Sequence, residues 1–87
     1  MFLTVNALAF TNQKCYYEKP DEIKSIRLLP KNTTTAPCTV EIERKINGKN
    51  IKYIKYKSEK SFNQCDKAAI KELMETFAKG FQCEDDK

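Results

Sequence analysis

The stretch Thr39-Val-Glu-Ile-Glu-Arg-Lys-Ile-Asn-Gly-Lys-Asn-Ile-Lys-Tyr-Ile-Lys-Tyr-Lys57 decides the fold. In "TVEIERKI", 39 to 46, Val40, Ile42 and Ile46 alternate with Thr39, Glu41, Glu43 and Lys45, the period of a strand with one buried face. Asn47-Gly48 follows, a pair suited to the type I′ turn because that turn requires positive φ at both central residues. The next run, "NIKYIKYK" from 50 to 57, is rich in β-formers, so the whole reads as a hairpin.

With Asn47-Gly48 as a two-residue loop, Ile46 faces Lys49, Arg44 faces Ile51 and Ile42 faces Tyr53. Glu43 faces Lys52 and Glu41 faces Ile54 on the other side of the sheet. The Glu43–Lys52 pair supports this register, at about 0.2 to 1 kcal/mol. Lys55 then falls on the apolar face opposite Val40, so either the buried part of the strand ends there or a bulge intervenes.

Working outward, "EIKSIRLL", 22 to 29, carries Ile23, Ile26 and Leu28 and stops at Pro30, as a strand would. On the other side of the hairpin, Ser61-x-x-Gln64 has the form of a capping box, with Asn63 or Asp66 as alternative caps. Ile70, Leu73, Met74, Phe77 and Phe81 share one helical face, expected to pack on the sheet, with Lys71, Glu72, Glu75 and Lys79 on the opposite, solvated face. Gly80 is the natural stop. The expected fold is α+β: a three-stranded antiparallel meander with one C-terminal helix packed on it, stapled by two disulfides.

Four cysteines and no histidine in 87 residues, with no CxxC pair, favour disulfides over a zinc site. Cys65 and Cys83 flank the expected helix. A helix from 66 to 79 is roughly 21 Å long, whereas the few residues after Gly80 reach back at most roughly 10 to 14 Å. A disulfide needs Cα atoms within about 7 Å, so these two should not pair. The hairpin register brings Cys38 near the start of the helix, which points to Cys38–Cys65 and leaves Cys15–Cys83.

The domain division is residues 1–9, read as either a signal-peptide remnant or an N-terminal strand, and one small domain over 10–87. "MFLTVNALAF" is apolar and contains Ala7-Leu8-Ala9, the small-x-small pattern that precedes signal cleavage, but it lacks a basic start. A secretory route would make Asn32-Thr33-Thr34 an N-glycosylation acceptor in the loop "PKNTTTAP". No stretch approaches the roughly 20 apolar residues of a transmembrane helix.

One domain of this size buries only roughly 60% of its unfolded surface. Its net charge of +4 is unevenly placed: residues 44 to 60 hold seven cations and one anion. Arg44, Lys45, Lys49, Lys52, Lys55 and Lys57, interleaved with Tyr53 and Tyr56, form the candidate anion-binding set. Its targets would be an anionic polysaccharide or lipid surface, with nucleic acid disfavoured for a secreted chain. The plainer account is an edge strand guarded by lysines against aggregation.

Without an imidazole base or gathered carboxylates, no catalytic residue, metal or cofactor is indicated. The layout of "SIRLLP", "CTVEIERKINGK" and "KELMETFAKGF" resembles the chemokine architecture over about 60 residues. It departs in having Cys15 alone where chemokines carry two N-terminal cysteines. The chemokine pairing would also join an N-terminal cysteine to Cys38, against the geometry above. The expected function is a small, secreted, non-enzymatic binding protein or signalling ligand acting on an extracellular receptor or host protein. The alternatives are a cationic antimicrobial or toxin-like protein acting on anionic membranes, and a secreted enzyme inhibitor presenting the 30–37 loop.

Overall fold

The computed structural model describes residues 10–17, 22–30 and 34–86. Its elements are β1 (Gln13–Tyr16), β2 (Glu22–Leu29), β3 (Cys38–Ile46), β4 (Lys49–Ser58), α1 (Phe62–Ala78) and β5 (Gln82–Asp85). They form an antiparallel five-stranded sheet in the order β4-β3-β2-β1-β5, with α1 across one face. The α+β class and the β2-β3-β4 meander stand; the expected three strands become five. The two added strands are four residues each. "QCED" has no β-branched or aromatic residue, so propensity gives no sign of it. It is held instead by pairing: Cys15 and Cys83 sit directly opposite each other on β1 and β5 and are bonded. The Asp86 N–H donates to the Asn12 carbonyl at 2.8 Å and continues the ladder.

The hairpin forms as its sequence dictates. Asn47 and Gly48 have φ of 51° and 82°, both positive, as a type I′ turn demands. Ile46↔Lys49, Arg44↔Ile51, Ile42↔Tyr53 and Glu41↔Ile54 are partners. The register then slips between Val40 and Glu41, so Val40 meets Tyr56 and Cys38 meets Ser58. Lys55 is the extra residue of this bulge, which answers the conflict seen in the sequence.

At the start of α1, the Ser61 side chain accepts from the Gln64 N–H at 3.3 Å. Ser58, rather than Gln64, satisfies the Ser61 N–H, at 3.1 Å. The C-terminus closes with Gly80 at φ +99°, while Gly80 and Phe81 donate to the Phe77 and Thr76 carbonyls at 2.9 and 3.3 Å. This is a Schellman stop, and it turns the chain into β5.

The helix packs on a different face from the one expected. Its buried residues are Cys65, Ala69, Glu72 and Thr76. Of the expected apolar face, Phe81 is buried and Leu73 half-buried, but Ile70, Met74 and Phe77 are exposed. The cause is the Cys38–Cys65 disulfide, which requires Cys65 to face the sheet. At about 100° per residue, residues 69, 72 and 76 then point inward with it, while 70, 74 and 77 lie about 120° to 180° away. Under the helix lie Ile26 and Leu28 of β2 and Val40 and Ile42 of β3. Phe81 closes the core at the Cys15 end against Tyr17, with ring centroids 5.1 Å apart.

Candidate binding surface

The helix is keyed to the sheet by charge as well as by apolar packing. Lys24, in the middle of β2, is opposite Arg44 and Cys15 and points under α1. Its Nζ donates to Glu72 Oε2 at 2.6 Å and to Thr76 Oγ1 at 2.9 Å. Thr76 Oγ1 in turn donates to the Glu72 carbonyl at 2.7 Å. Lys55, displaced onto the helix side by the bulge, brings its Nζ to 3.7 Å from Glu72 Oε1. Burial pushes the Glu72 carboxyl up, but the hydrogen bond and charge of Lys24, with the charges of Lys55 and Lys79, outweigh it and hold the group below the ordinary carboxylate value. Glu72, expected on the solvated face, is therefore the helix's buried anion.

The candidate anion-binding cations do not form one patch, because alternation divides them between the two sheet faces. On the helix side Arg44 is ion-paired with Glu22 and Lys55 with Glu72. Lys57 lies 3.6 Å from Glu59, an exposed pair. Lys45, Lys49 and Lys52 are exposed and form no ion pair among the described residues. Glu43, opposite Lys52, is bonded instead to Arg27 at 2.9 Å, and Arg27 also reaches Glu41 at 3.1 Å. Burial works to lower the Arg27 pKa, but these two carboxylates outweigh it and hold the guanidinium above its ordinary value. A polar hollow of about 210 Å³ on the open face is lined by Lys14, Arg27 and Lys45, but also by Glu43 and Asp86. Cations and anions offset each other there.

The exposed surface is also apolar, and its helical part was expected in the core. Every residue of β4 from Lys49 to Lys57 is exposed, including Ile51 at 51%, Ile54 at 52%, Tyr53 and Tyr56. On α1, Met74 is 64% and Phe77 49% exposed, beside Ile70. Between β4 and α1 runs a groove of about 350 Å³ bordered by Tyr56, Lys55, Gln64, Ala68 and Lys71. The signal for the helical part was available: phasing the helix on Cys65 would have turned Ile70, Met74 and Phe77 outward. For β4, the lysine at nearly every third position already gave the edge strand that the sequence suggested, and among the described residues it has no neighbour on one side.

The cysteines are all bonded, Cys38 to Cys65 and Cys15 to Cys83. Asn32 and residues 1–9 lie outside the described residues. Among the described residues, no group of three or more histidine, cysteine or acidic side chains is placed to hold a metal, and no helix is long and apolar enough to cross a membrane. Two disulfides are consistent with an extracellular protein. Compared with protein-family models, curated proteins and solved structures, the chain matches none.

Proposed function

We infer that this is a small secreted protein that acts, without enzymatic chemistry, by binding an extracellular receptor or host protein. The observation that carries this reading is the exposed apolar set on α1 and on the helix side of β4: Ile51, Tyr53 and Tyr56, with Ile70, Met74 and Phe77. A domain this small has few apolar residues to spare from its core, and exposed apolar surface of this extent marks an interaction site. Membrane or polysaccharide binding through the basic hairpin has weaker support, because Arg44, Lys55 and Lys57 are ion-paired and the remaining cations are divided between two faces.

The test is photo-crosslinking of the native protein to its partner in extracellular fluid, from probes at Tyr53 and at Met74. A defined protein adduct from either probe, lost when the neighbouring exposed residue is changed, Ile51→Ser for the Tyr53 probe and Phe77→Ser for the Met74 probe, is the expected result. Leakage of anionic vesicles by the protein, with no protein adduct, would overturn it in favour of a membrane-active role. Peptide mapping of the natural protein without reduction tests the extracellular part separately. Bonded cysteines and an occupied Asn32 are expected, and four free thiols would sink it.

A further inference from the structure

We propose that β4 is a docking edge for an extended segment of the partner, one in which apolar and acidic residues alternate, added antiparallel as a sixth strand. This rests on the protein-binding reading above and names the chemistry of the segment bound. The type I′ turn places a hydrogen bond between Ile46 and Lys49. Hydrogen-bonded and non-hydrogen-bonded pairs then alternate along the hairpin, so Lys49, Ile51 and Tyr53 bond to β3. Asn50, Lys52 and Ile54 direct their backbone N–H and C=O groups away from it, and among the described residues β4 has no neighbour on that side. These groups form the open half of a ladder, the feature that β-augmentation uses.

The side chains specify what fits. On the helix side the edge presents Ile51, Tyr53 and Tyr56, so the added strand needs apolar residues there. On the open side it presents Lys52, which forms no ion pair among the described residues, beside Ile54, and opposite Lys52 a carboxylate is the complementary group. A second copy of this chain fits less well. Pairing β4 with itself would bring two runs of four lysines, Lys49, Lys52, Lys55 and Lys57, against each other. The opposite edge, β5, is acidic at Glu84 and Asp85, but it is four residues long and has no aliphatic or aromatic side chain for Ile51 or Tyr53 to meet. The lysines thus disfavour self-pairing and favour an acidic strand, so one set of residues provides both exclusion and selection.

The probe is a capped peptide of alternating valine and glutamate, matched to β4 in length and added to the full chain with its disulfides intact. Saturable binding is expected, with amide exchange at Asn50, Lys52 and Ile54 slowed by about tenfold or more. Lys52→Glu, an exposed change, should weaken binding by about tenfold while the melting temperature holds. The same peptide N-methylated at alternate residues cannot complete the ladder and should not protect these amides. Equal binding of the methylated peptide would show charge attraction alone and overturn the proposal. So would sedimentation showing β4 occupied in a dimer, or protection by a heparin fragment and not by the peptide. Partner adducts that map only to Met74 and Phe77, with β4 amides unprotected, would overturn β4 docking and leave the protein-binding reading intact. Vesicle leakage without any adduct would remove both.

Discussion

On β2, Lys24 is 6% exposed and its ammonium is held between Glu72 and Thr76; on β4, two strands away in the sheet, Ile54 is 52% exposed. Residue type alone would have exchanged these positions. The difference shows that burial follows place in the topology. β2 is a middle strand beneath a helix whose rotation is fixed by Cys65, so the side chain at position 24 is enclosed whatever its charge. It is tolerated because α1 supplies a carboxylate and a hydroxyl at bonding distance. β4 is an edge, and its isoleucines face water on both sides of the sheet.

The largest effect should come from breaking the enclosed charge. Glu72→Leu leaves the Lys24 ammonium buried without a counter-ion and should cost about 3 to 5 kcal/mol in urea unfolding. Lys24→Met with Glu72→Leu removes both charges and should recover most of that loss. If the single change costs under about 1 kcal/mol, the ion pair is not what seats the helix.

The same pair makes stability depend on pH. The folded Glu72 carboxyl titrates below its unfolded counterpart. Its contribution is therefore complete above the unfolded value, about 4.3, and is lost as pH falls through the lower folded value. Melting followed from neutral to acid should fall more steeply in the natural protein than in Glu72→Gln. Parallel slopes would show that other carboxylates carry the acid sensitivity.

What was legible in the sequence divides along the same line. The hairpin, its type I′ turn, the register through Glu41 and the misfit at Lys55 could be read because they depend on local φ/ψ and on alternation. The disulfide pairing could be read from helix length, although the helix itself begins at Phe62 and takes Cys65 into its first turn. Two features could not be read from periodicity. β1 and β5 are defined by each other and by the Cys15–Cys83 bond rather than by their residues. The helix's apolar stripe pointed to Ile70, Met74 and Phe77 as core, and the crosslink at Cys65 overrode it. Periodicity finds a helix and its faces, but a tertiary bond decides which face is inside. The candidate site followed from that reversal: its helical part, Ile70, Met74 and Phe77, was expected in the core, and its basic part is less continuous than the sequence suggests.

A smaller effect separates the local contribution at the helix start from the tertiary one. Ser61→Ala removes the acceptor for the Gln64 N–H and should cost about 1 kcal/mol in thermal or urea unfolding. The Cys38–Cys65 bond remains to hold that first turn in place. A loss of 3 kcal/mol or so would mean that the cap, and not the crosslink, sets the helix on the sheet.

The smallest effect is expected at the exposed end of the comparison. Ile54→Thr keeps the β-branch, and with it the strand preference, while removing apolar surface that the fold does not bury. Unfolding should change by no more than about 0.5 kcal/mol, whereas binding of a peptide that carries valine opposite Ile54 and glutamate opposite Lys52 should weaken. A loss of stability above about 2 kcal/mol would place Ile54 among the residues that hold the domain together and remove the reason to assign it a partner. A neutral result has the opposite force. An isoleucine that adds nothing to stability, set between lysines on an open edge, increases the hazard of aggregation without strengthening the fold. Contact with another protein is the use that its position leaves.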